Sequence, residues 1–168
     1  YSDIGIFDFS LGVPPTVTLQ PIANNTNCDT SIDLVVVGSQ GFSGGLGLAY
    51  RWFFHAPGDA TWTEIMSDGG PYTGFNQATL NVSFSDVIDV NGYQYYCQVR
   101  ENSATCYTAS NAVKLNHERA FWDSNTWSSS PDINKLVVIN DDYNTNAQTS
   151  FETCNLIVNA GSTLTVAN

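Results

Sequence analysis

Apolar and polar residues alternate with a period of two along most of the chain, and the spacing of amphipathic helices is almost absent. Clusters rich in Gly, Asn, Asp and Pro separate the alternating runs and are typical of turns. Many short strands with regular turns and no helical segment indicate an all-β sandwich. The pattern predicts strands at residues 16–19, 32–37, 48–54, 63–65, 78–84, 93–100, 107–115, 136–139, 154–158 and 163–166.

A change in composition near residues 116–119 predicts a domain boundary. We expect a β-sandwich at 13–116, and a β-rich, incomplete segment at 117–168 that starts a second sandwich or another β-rich unit. Residues 1–12 alternate apolar and polar side chains, so we expect an N-terminal strand or linker there. Such a strand could close a preceding domain or pair with a neighbouring copy in an end-to-end array or filament.

Composition excludes several classes of partner. The chain has 168 residues, 5 Lys and Arg, 16 Asp and Glu, and a formal net charge of −11. This charge predicts no binding to nucleic acid or anionic membranes. No apolar run approaches the roughly 18 residues that a membrane span needs, so we expect no membrane insertion. The chain begins at Tyr1 without a signal sequence, as expected of a mature product or an excised fragment.

The four cysteines predict an oxidising, extracellular or cell-surface location. Cys28, Cys97, Cys106 and Cys154 form no C-x-x-C pair, so their spacing favours disulfides over structural zinc. Four reduced thiols are the alternative. Spacing alone leaves three disulfide connectivities open.

The first unit carries the pattern of an immunoglobulin-like core. Tyr95 precedes Cys97 by two residues at the start of a late strand, which is the arrangement of a tyrosine corner. In that arrangement the ring packs inward and its hydroxyl bonds to the backbone upstream. A tryptophan on the third strand completes such a core. We therefore predict core positions at Trp52, Tyr95, Leu80, Val82 and Val36.

Residues 13–116 resemble the immunoglobulin-like repeats of very large secreted and cell-surface proteins of Bacteroidota, including type IX secretion substrates and gliding adhesins. The segments that carry the resemblance are residues 14–21, 50–52, 62–65, 91–95 and 110–113, together with Cys28. Residues 121–168 resemble the segment that often follows, through Trp122, Trp127 and residues 131–132, 137–139 and 154–166. The resemblance implies that this segment forms the first rungs of a β-solenoid and that the chain continues.

One departure from the family concerns its inter-sheet disulfide. By register, Val36 rather than a cysteine faces Cys97 across the sandwich. A hairpin turning near Asn102 would place Cys97 and Cys106 almost opposite each other. We therefore favour Cys97–Cys106 and Cys28–Cys154, the second of which would join the two units. The alternative pairing is Cys28–Cys97.

Two acidic turns are candidate calcium sites, because extracellular modules often bind calcium through loops rich in carboxylate and amide oxygens. Neither turn matches the spaced calcium loop, and Asp and Asn are also ordinary turn residues. The candidate ligands are Asp86, Asp89, Asn91, Asp141 and Asp142. No other cofactor is expected.

Three tryptophans are candidates for stacking on a glycan: Trp62, Trp122 and Trp127. Each also fits a framework role in the family pattern. Residues 41–45 match the G-x-S-x-G motif around Ser43, but no helix follows them, as a nucleophile elbow requires. His55 and His117 are far apart in sequence and form no evident site. We therefore expect no enzymatic activity.

These patterns, with the resemblance, predict a non-catalytic extracellular structural or adhesion module of a large surface or secreted protein. Its partners would be neighbouring domains, copies of the same polypeptide, or a surface polysaccharide. The alternatives are a carbohydrate-binding module and an accessory domain of a secreted enzyme. Exposure of the candidate tryptophans distinguishes carbohydrate binding from a purely structural role.

Overall fold

A computed structural model of the chain describes residues 13–41, 47–84, 89–101 and 107–167. Within these ranges the protein is all-β, as the alternation predicts, and contains no helix. The strands are β1 (Thr16–Leu19), β2 (Ser31–Val35), β3 (Val37–Ser39), β4 (Leu48–His55), β5 (Thr63–Glu64), β6 (Tyr72–Thr73), β7 (Thr79–Ser83), β8 (Gln94–Glu101), β9 (Tyr107–Ala109), β10 (Val113–Lys114), β11 (Arg119–Asp123), β12 (Thr126–Trp127), β13 (Leu136–Ile139), β14 (Tyr143–Asn144), β15 (Asn155–Val158) and β16 (Leu164–Thr165).

The first unit packs antiparallel sheets in a sandwich-like arrangement. One sheet has the order β10-β8-β4-β5, with β9 also paired to β8, and the other has the order β2-β7-β6. Strands β1 and β3 form a separate two-stranded ribbon. Apolar side chains from both larger sheets meet in a single buried cluster. In β2, β4, β7 and β8 the alternation places every second apolar side chain in this cluster and the intervening side chains on the outer face.

The predicted core positions all lie in this cluster. Trp52, Tyr95, Leu80, Val82 and Val36 have no exposed surface. Val36 separates β2 from β3, where the chain leaves one sheet for the ribbon, so the predicted strand at 32–37 is two strands. Its backbone N–H still donates to the carbonyl of Ala78 at 2.9 Å, which satisfies this buried group at the crossover.

The predicted tyrosine corner is correct in the burial of Tyr95 but wrong in the hydrogen-bond partner of its hydroxyl. Tyr95 is buried as expected, but its hydroxyl lies 3.3 Å from the hydroxyl of Tyr72, a side chain of the opposite sheet. Burial raises the pKa of both phenols, so both remain neutral and either hydroxyl can donate the hydrogen bond to the other. The side chain of Tyr95 thus links the two sheets.

The predicted Cys97–Cys106 disulfide is wrong, as is the alternative Cys28–Cys97 pair. Cys97 is a free and fully buried thiol, whereas Cys106 lies outside the described residues. In the β8–β9 register, Val99 pairs with Thr108, and the Ser110 N–H donates to the Cys97 carbonyl at 2.8 Å. Ser110 therefore takes the position opposite Cys97, four residues beyond the one assigned to Cys106. Desolvation raises the pKa of the Cys97 thiol to about 12 and keeps it protonated.

The second unit is built from parallel strands stacked in register. β11 pairs with β13, and β13 with β15, while β14 pairs with β16. Two successive turns of the chain therefore repeat the same strand–turn–strand path, which is the arrangement expected of β-solenoid rungs. β12 adds to β11 through a two-residue hairpin whose central residues, Ser124 and Asn125, both have positive φ.

The second unit has its own smaller core. Ala120, Trp122, Val137, Ile139 and Tyr143 are buried together, with partly buried aromatic residues packed around them. All four residues of β13 are buried, as expected of a parallel strand covered on both faces.

Candidate functional site

Two features of the structure bear on function: the junction between the two units, and the outer face of the sheet that contains β4 and β8. The predicted Cys28–Cys154 disulfide is present and joins the units across 126 positions of sequence. Cys28 precedes β2 of the sandwich and Cys154 precedes β15 of the parallel stack. The covalent bond therefore connects the sandwich to the last of the described rungs.

Polar groups reinforce the junction around the disulfide. The Asn25 side chain donates to the carbonyl of Asn116 at 2.9 Å, and the Glu118 N–H donates to Asn27 Oδ1 at 2.9 Å. The Asn155 side chain approaches the Cys28 carbonyl at 3.5 Å. Side chains of the segment before β2 therefore satisfy the backbone that connects the two units and add restraints on their relative orientation.

His117 lies at the centre of the junction and is fully buried. Its ring stacks on Phe84 with centroids 3.9 Å apart. Arg119 Nε, which is always a donor, lies 3.4 Å from His117 Nδ1, so Nδ1 is the acceptor. The ring proton is then on Nε2, which donates to the Asp29 carbonyl at 3.1 Å.

The surroundings of His117 lower its pKa. The largest cause is desolvation, while the carbonyl of Asp29 raises the pKa and the charge of Arg119 lowers it further. Asp89, 3.9 Å from Arg119 Nε, acts in the opposite direction. His117 is thus a neutral structural residue of the junction, although its sequence position alone gave it no role.

We expect the free energy of unfolding to fall as the pH is lowered through 6.5. The unfolded state takes up a proton on His117 near its ordinary pKa, whereas the folded state resists protonation to a lower pH. The stabilisation is therefore complete above 6.5 and is lost towards the depressed folded pKa. Urea unfolding of the wild type and His117→Gln between pH 7.5 and 5.5 tests this.

The pH slope should be smaller in His117→Gln. His55→Gln is the matched control, because it removes the other histidine, which lies on the outer face of β4. Equal pH slopes for the wild type and His117→Gln would contradict the prediction.

The second feature, here called the aromatic face, is the outer surface of the sheet formed by β4, β5, β8, β9 and β10. Phe53 and Tyr96 are cross-strand partners whose rings stack with centroids 4.9 Å apart and planes 7° apart. Trp62 contacts Tyr96 edge-on at 4.7 Å, and His55 lies 5.3 Å from Trp62. These four rings form a continuous aromatic cluster on the outside of the sandwich.

Charged and amide side chains border the aromatic cluster. Arg51 forms an ion pair with Glu64 at 3.3 Å. Arg100 donates to Gln98 Oε1 at 2.8 Å, and its guanidinium lies 5.0 Å from the centre of the Tyr107 ring. A depression of about 360 Å³ opens beside the Arg51–Glu64 pair, at the edge of the sheet.

The structure separates the three candidate glycan-stacking tryptophans. Trp62 is 38% exposed, whereas Trp122 is only 5% exposed and belongs to the core of the second unit. Trp127 is half-buried and packs against Trp122, Tyr143 and Phe151. Of the three, Trp62 alone presents a substantial exposed surface.

Four of the five candidate calcium ligands accept hydrogen bonds from nearby backbone N–H groups. Asp89 accepts a hydrogen bond from the Asn91 N–H at 3.0 Å, and Asn91 Oδ1 accepts one from the His117 N–H at 2.9 Å. Asp141 accepts from the Ser124 N–H at 2.5 Å, and Asp142 accepts from the Thr163 N–H at 2.8 Å. These are turn and junction contacts of the kind that Asp and Asn commonly make.

Two candidates from the sequence lie outside the described residues. They are Asp86 of the first acidic turn and Ser43 of the G-x-S-x-G match, and the predicted N-terminal strand or linker at 1–12 lies outside the described residues with Cys106.

The aromatic face was only partly predicted, since Trp62 was the one member singled out. Alternation along β4 and β8 could have found the rest, because it places Phe53, His55 and Tyr96 on the same side as two arginines.

The described residues contain no group of three or more His, Cys, Asp or Glu side chains placed to hold a metal ion. Likewise, the part of the chain that the structure describes has no helix able to span a membrane. No protein-family model matches the chain, and no curated protein shows significant similarity to it.

Proposed function

We propose that this chain is a non-catalytic structural and adhesion module of a large extracellular or cell-surface protein. The observation that carries the proposal is the Cys28–Cys154 disulfide, which joins two separately packed units. Disulfides persist in oxidising compartments and are rare in the cytosol. A covalent bond across the joint is suited to a module that must keep its shape outside the cell.

The exposed edge of β15 supports an end-to-end arrangement with further domains or copies. Leu156 and Val158 are 37% and 41% exposed, although they align with the fully buried Val137 and Ile139 of β13. A further strand stacked on β15, which ends the sheet within the described residues, would bury these side chains and pair with the outer backbone edge of β15. The resemblance to immunoglobulin-like repeats of Bacteroidota surface proteins favours the same role.

Mapping the disulfides and the location of the native protein tests this proposal. We expect a non-reduced peptide digest of native material to contain the Cys28–Cys154 pair. We also expect brief protease treatment of intact cells, or analysis of their medium, to release peptides of this chain. A chain that is confined to the cell interior, with Cys28 and Cys154 as free thiols, would refute the proposal.

A further inference from the structure

The aromatic face concentrates positive charge on an otherwise acidic protein. Arg51, Arg100 and Lys114 are three of the five Lys and Arg residues of the chain, which carries a net charge of −11. All three project outward from this one sheet, where Glu64 is the only carboxylate at the aligned outward positions of the described strands. Positive charge is therefore much more concentrated on this face than on the chain as a whole.

Strand pairing places these cations on both sides of the aromatic cluster. Lys114 pairs with Gln94, and Gln94 pairs with His55, so this cation borders one end of the cluster. Arg51 lies two residues before Phe53 on β4, and its cross-strand partner is Gln98 of β8. Arg100 follows Gln98 by two residues and stands beside Tyr107. A ligand that lies over the rings would thus meet positive charge in either direction along the strands.

Trp62 is available to such a ligand. It is 38% exposed, and its contacts with Tyr96 and His55 have interplanar angles of 87° and 51°. Among the described residues, no ring therefore stacks face to face on Trp62. The stacked Phe53–Tyr96 pair packs against Trp62 through the Tyr96 ring, which Trp62 contacts edge-on. Burial raises the pKa of the Tyr96 phenol, which stays a neutral hydroxyl.

We propose that the aromatic face binds a carboxylated saccharide, such as a chain containing uronic acid residues. The apolar C–H face of a sugar ring packs on exposed aromatic surface, for which Trp62 is the main candidate. Carboxylates form short, charge-assisted hydrogen bonds with guanidinium groups, which Arg51 and Arg100 present. Neutral groups such as Gln98 and Tyr96 supply hydrogen bonds for sugar hydroxyls.

The charge of the face favours this ligand over the other candidates. A neutral saccharide would leave the excess of cations unused, and a polyanion as dense as duplex DNA, with one charge per about 1.7 Å, would be repelled more strongly by the rest of the acidic chain. The assignment adds a ligand to the structural role proposed above. The ligand proposal is independent of the structural proposal, because neither the disulfide nor the edge of β15 contributes a residue to this face.

Affinity electrophoresis of the whole chain tests the proposal directly. Native gels would contain polygalacturonate, alginate or hyaluronan, each compared with its carboxyl-reduced form. We expect at least one carboxylated polymer to retard the protein and its reduced form to do so much less. Calorimetry with oligosaccharides of the retarding polymer then gives the affinity of the wild type and of each variant.

Three variants separate stacking, local charge and net charge. Trp62→Ala and the double variant Arg51→Gln/Arg100→Gln should each weaken binding by roughly tenfold or more, because each removes a principal contact. The variant Lys135→Glu, which lowers the net charge equally but retains all three cations of the face, should weaken binding less. Circular dichroism establishes that each variant is folded before its affinity is compared.

Four results would overturn the assignment. They are the absence of binding to all three polymers, equal binding to the carboxyl-reduced forms, equal losses in Arg51→Gln/Arg100→Gln and in Lys135→Glu, and unchanged binding by Trp62→Ala. Sedimentation adds a further test of the occupant of this face. Self-association of the wild type that is lost in Trp62→Ala, without saccharide binding, would make the face a contact between copies.

Discussion

Replacing both cysteines of the Cys28–Cys154 disulfide with serine should lower the free energy of unfolding by about 5 kcal/mol in the chain-entropy model. The bond closes a loop across 126 positions, so its removal greatly enlarges the set of conformations open to the unfolded chain. Domains of this kind are typically stable by only about 5–15 kcal/mol. The loss should therefore be visible as a large shift in the guanidinium chloride midpoint.

Dithiothreitol provides an internal control for this experiment. It should destabilise the wild type and leave the Cys28→Ser/Cys154→Ser variant unchanged, because the remaining described cysteine, Cys97, is already a free thiol. Cys97→Ala tests whether loss of a buried cysteine alone has the same effect. It should cost much less, since it removes a single small buried group. Equal stability of the wild type in oxidised and reduced form would contradict the prediction.

The Cys28→Ser/Cys154→Ser variant also tests whether the disulfide fixes the relative orientation of the two units. Small-angle scattering should show a broader distribution of dimensions for the serine variant, provided that both units remain folded. The polar contacts at Asn25, Asn27 and His117 would then be the remaining restraints between the units. An unchanged scattering profile would assign the rigidity of the joint to these contacts rather than to the disulfide.

Local sequence patterns predicted those strands in which the order of apolar and polar residues alone determines which side chains are buried. In β8, the inward positions Tyr95, Cys97 and Val99 are buried and the positions between them are more exposed, as a period of two requires. β13 was recognisable as a short, wholly apolar run, which is typical of a strand covered on both faces. In these strands the side-chain pattern and the tertiary environment agree.

Features that depend on distant residues were not predicted. β11 begins with Arg119, whose side chain is only 1% exposed, and a buried arginine has no place in an apolar pattern. Its burial depends on His117 and on Asp89, which lies 30 positions earlier. The Tyr72–Tyr95 hydroxyl contact likewise joins opposite sheets, and no local signal in the sequence indicates it.

The error at Cys97 has a different cause, because cross-strand register depends on the length of the connecting loop. A tight turn near Asn102 was assumed, whereas the observed β8–β9 pairing places Ser110 opposite Cys97. A shift of four positions keeps every side chain on its predicted face, since the period of a strand is two. Burial patterns were therefore correct even where the predicted disulfide was wrong.

Trp52→Ala should be the most destabilising single substitution in the sandwich, with an expected loss of about 3–5 kcal/mol. Trp52 is fully buried in the middle of β4, where it pairs with Cys97 of β8. Its indole Nε1 donates to the Gln77 carbonyl at 2.9 Å. Truncation therefore removes a large buried ring, opens a cavity and leaves a carbonyl without its hydrogen bond.

Two further tryptophan variants separate these causes, with urea unfolding followed by far-ultraviolet circular dichroism. Trp52→Phe retains a buried ring and loses the bond to Gln77, so its cost should be intermediate. Trp62→Ala removes the same side chain from the exposed aromatic face and should cost less than about 1 kcal/mol. If Trp52→Ala were no more destabilising than Trp62→Ala, the core could not be centred on Trp52. The expected order instead separates the two tryptophans by role, since Trp52 stabilises the sandwich that holds the aromatic face, and Trp62 is free to contact a ligand there.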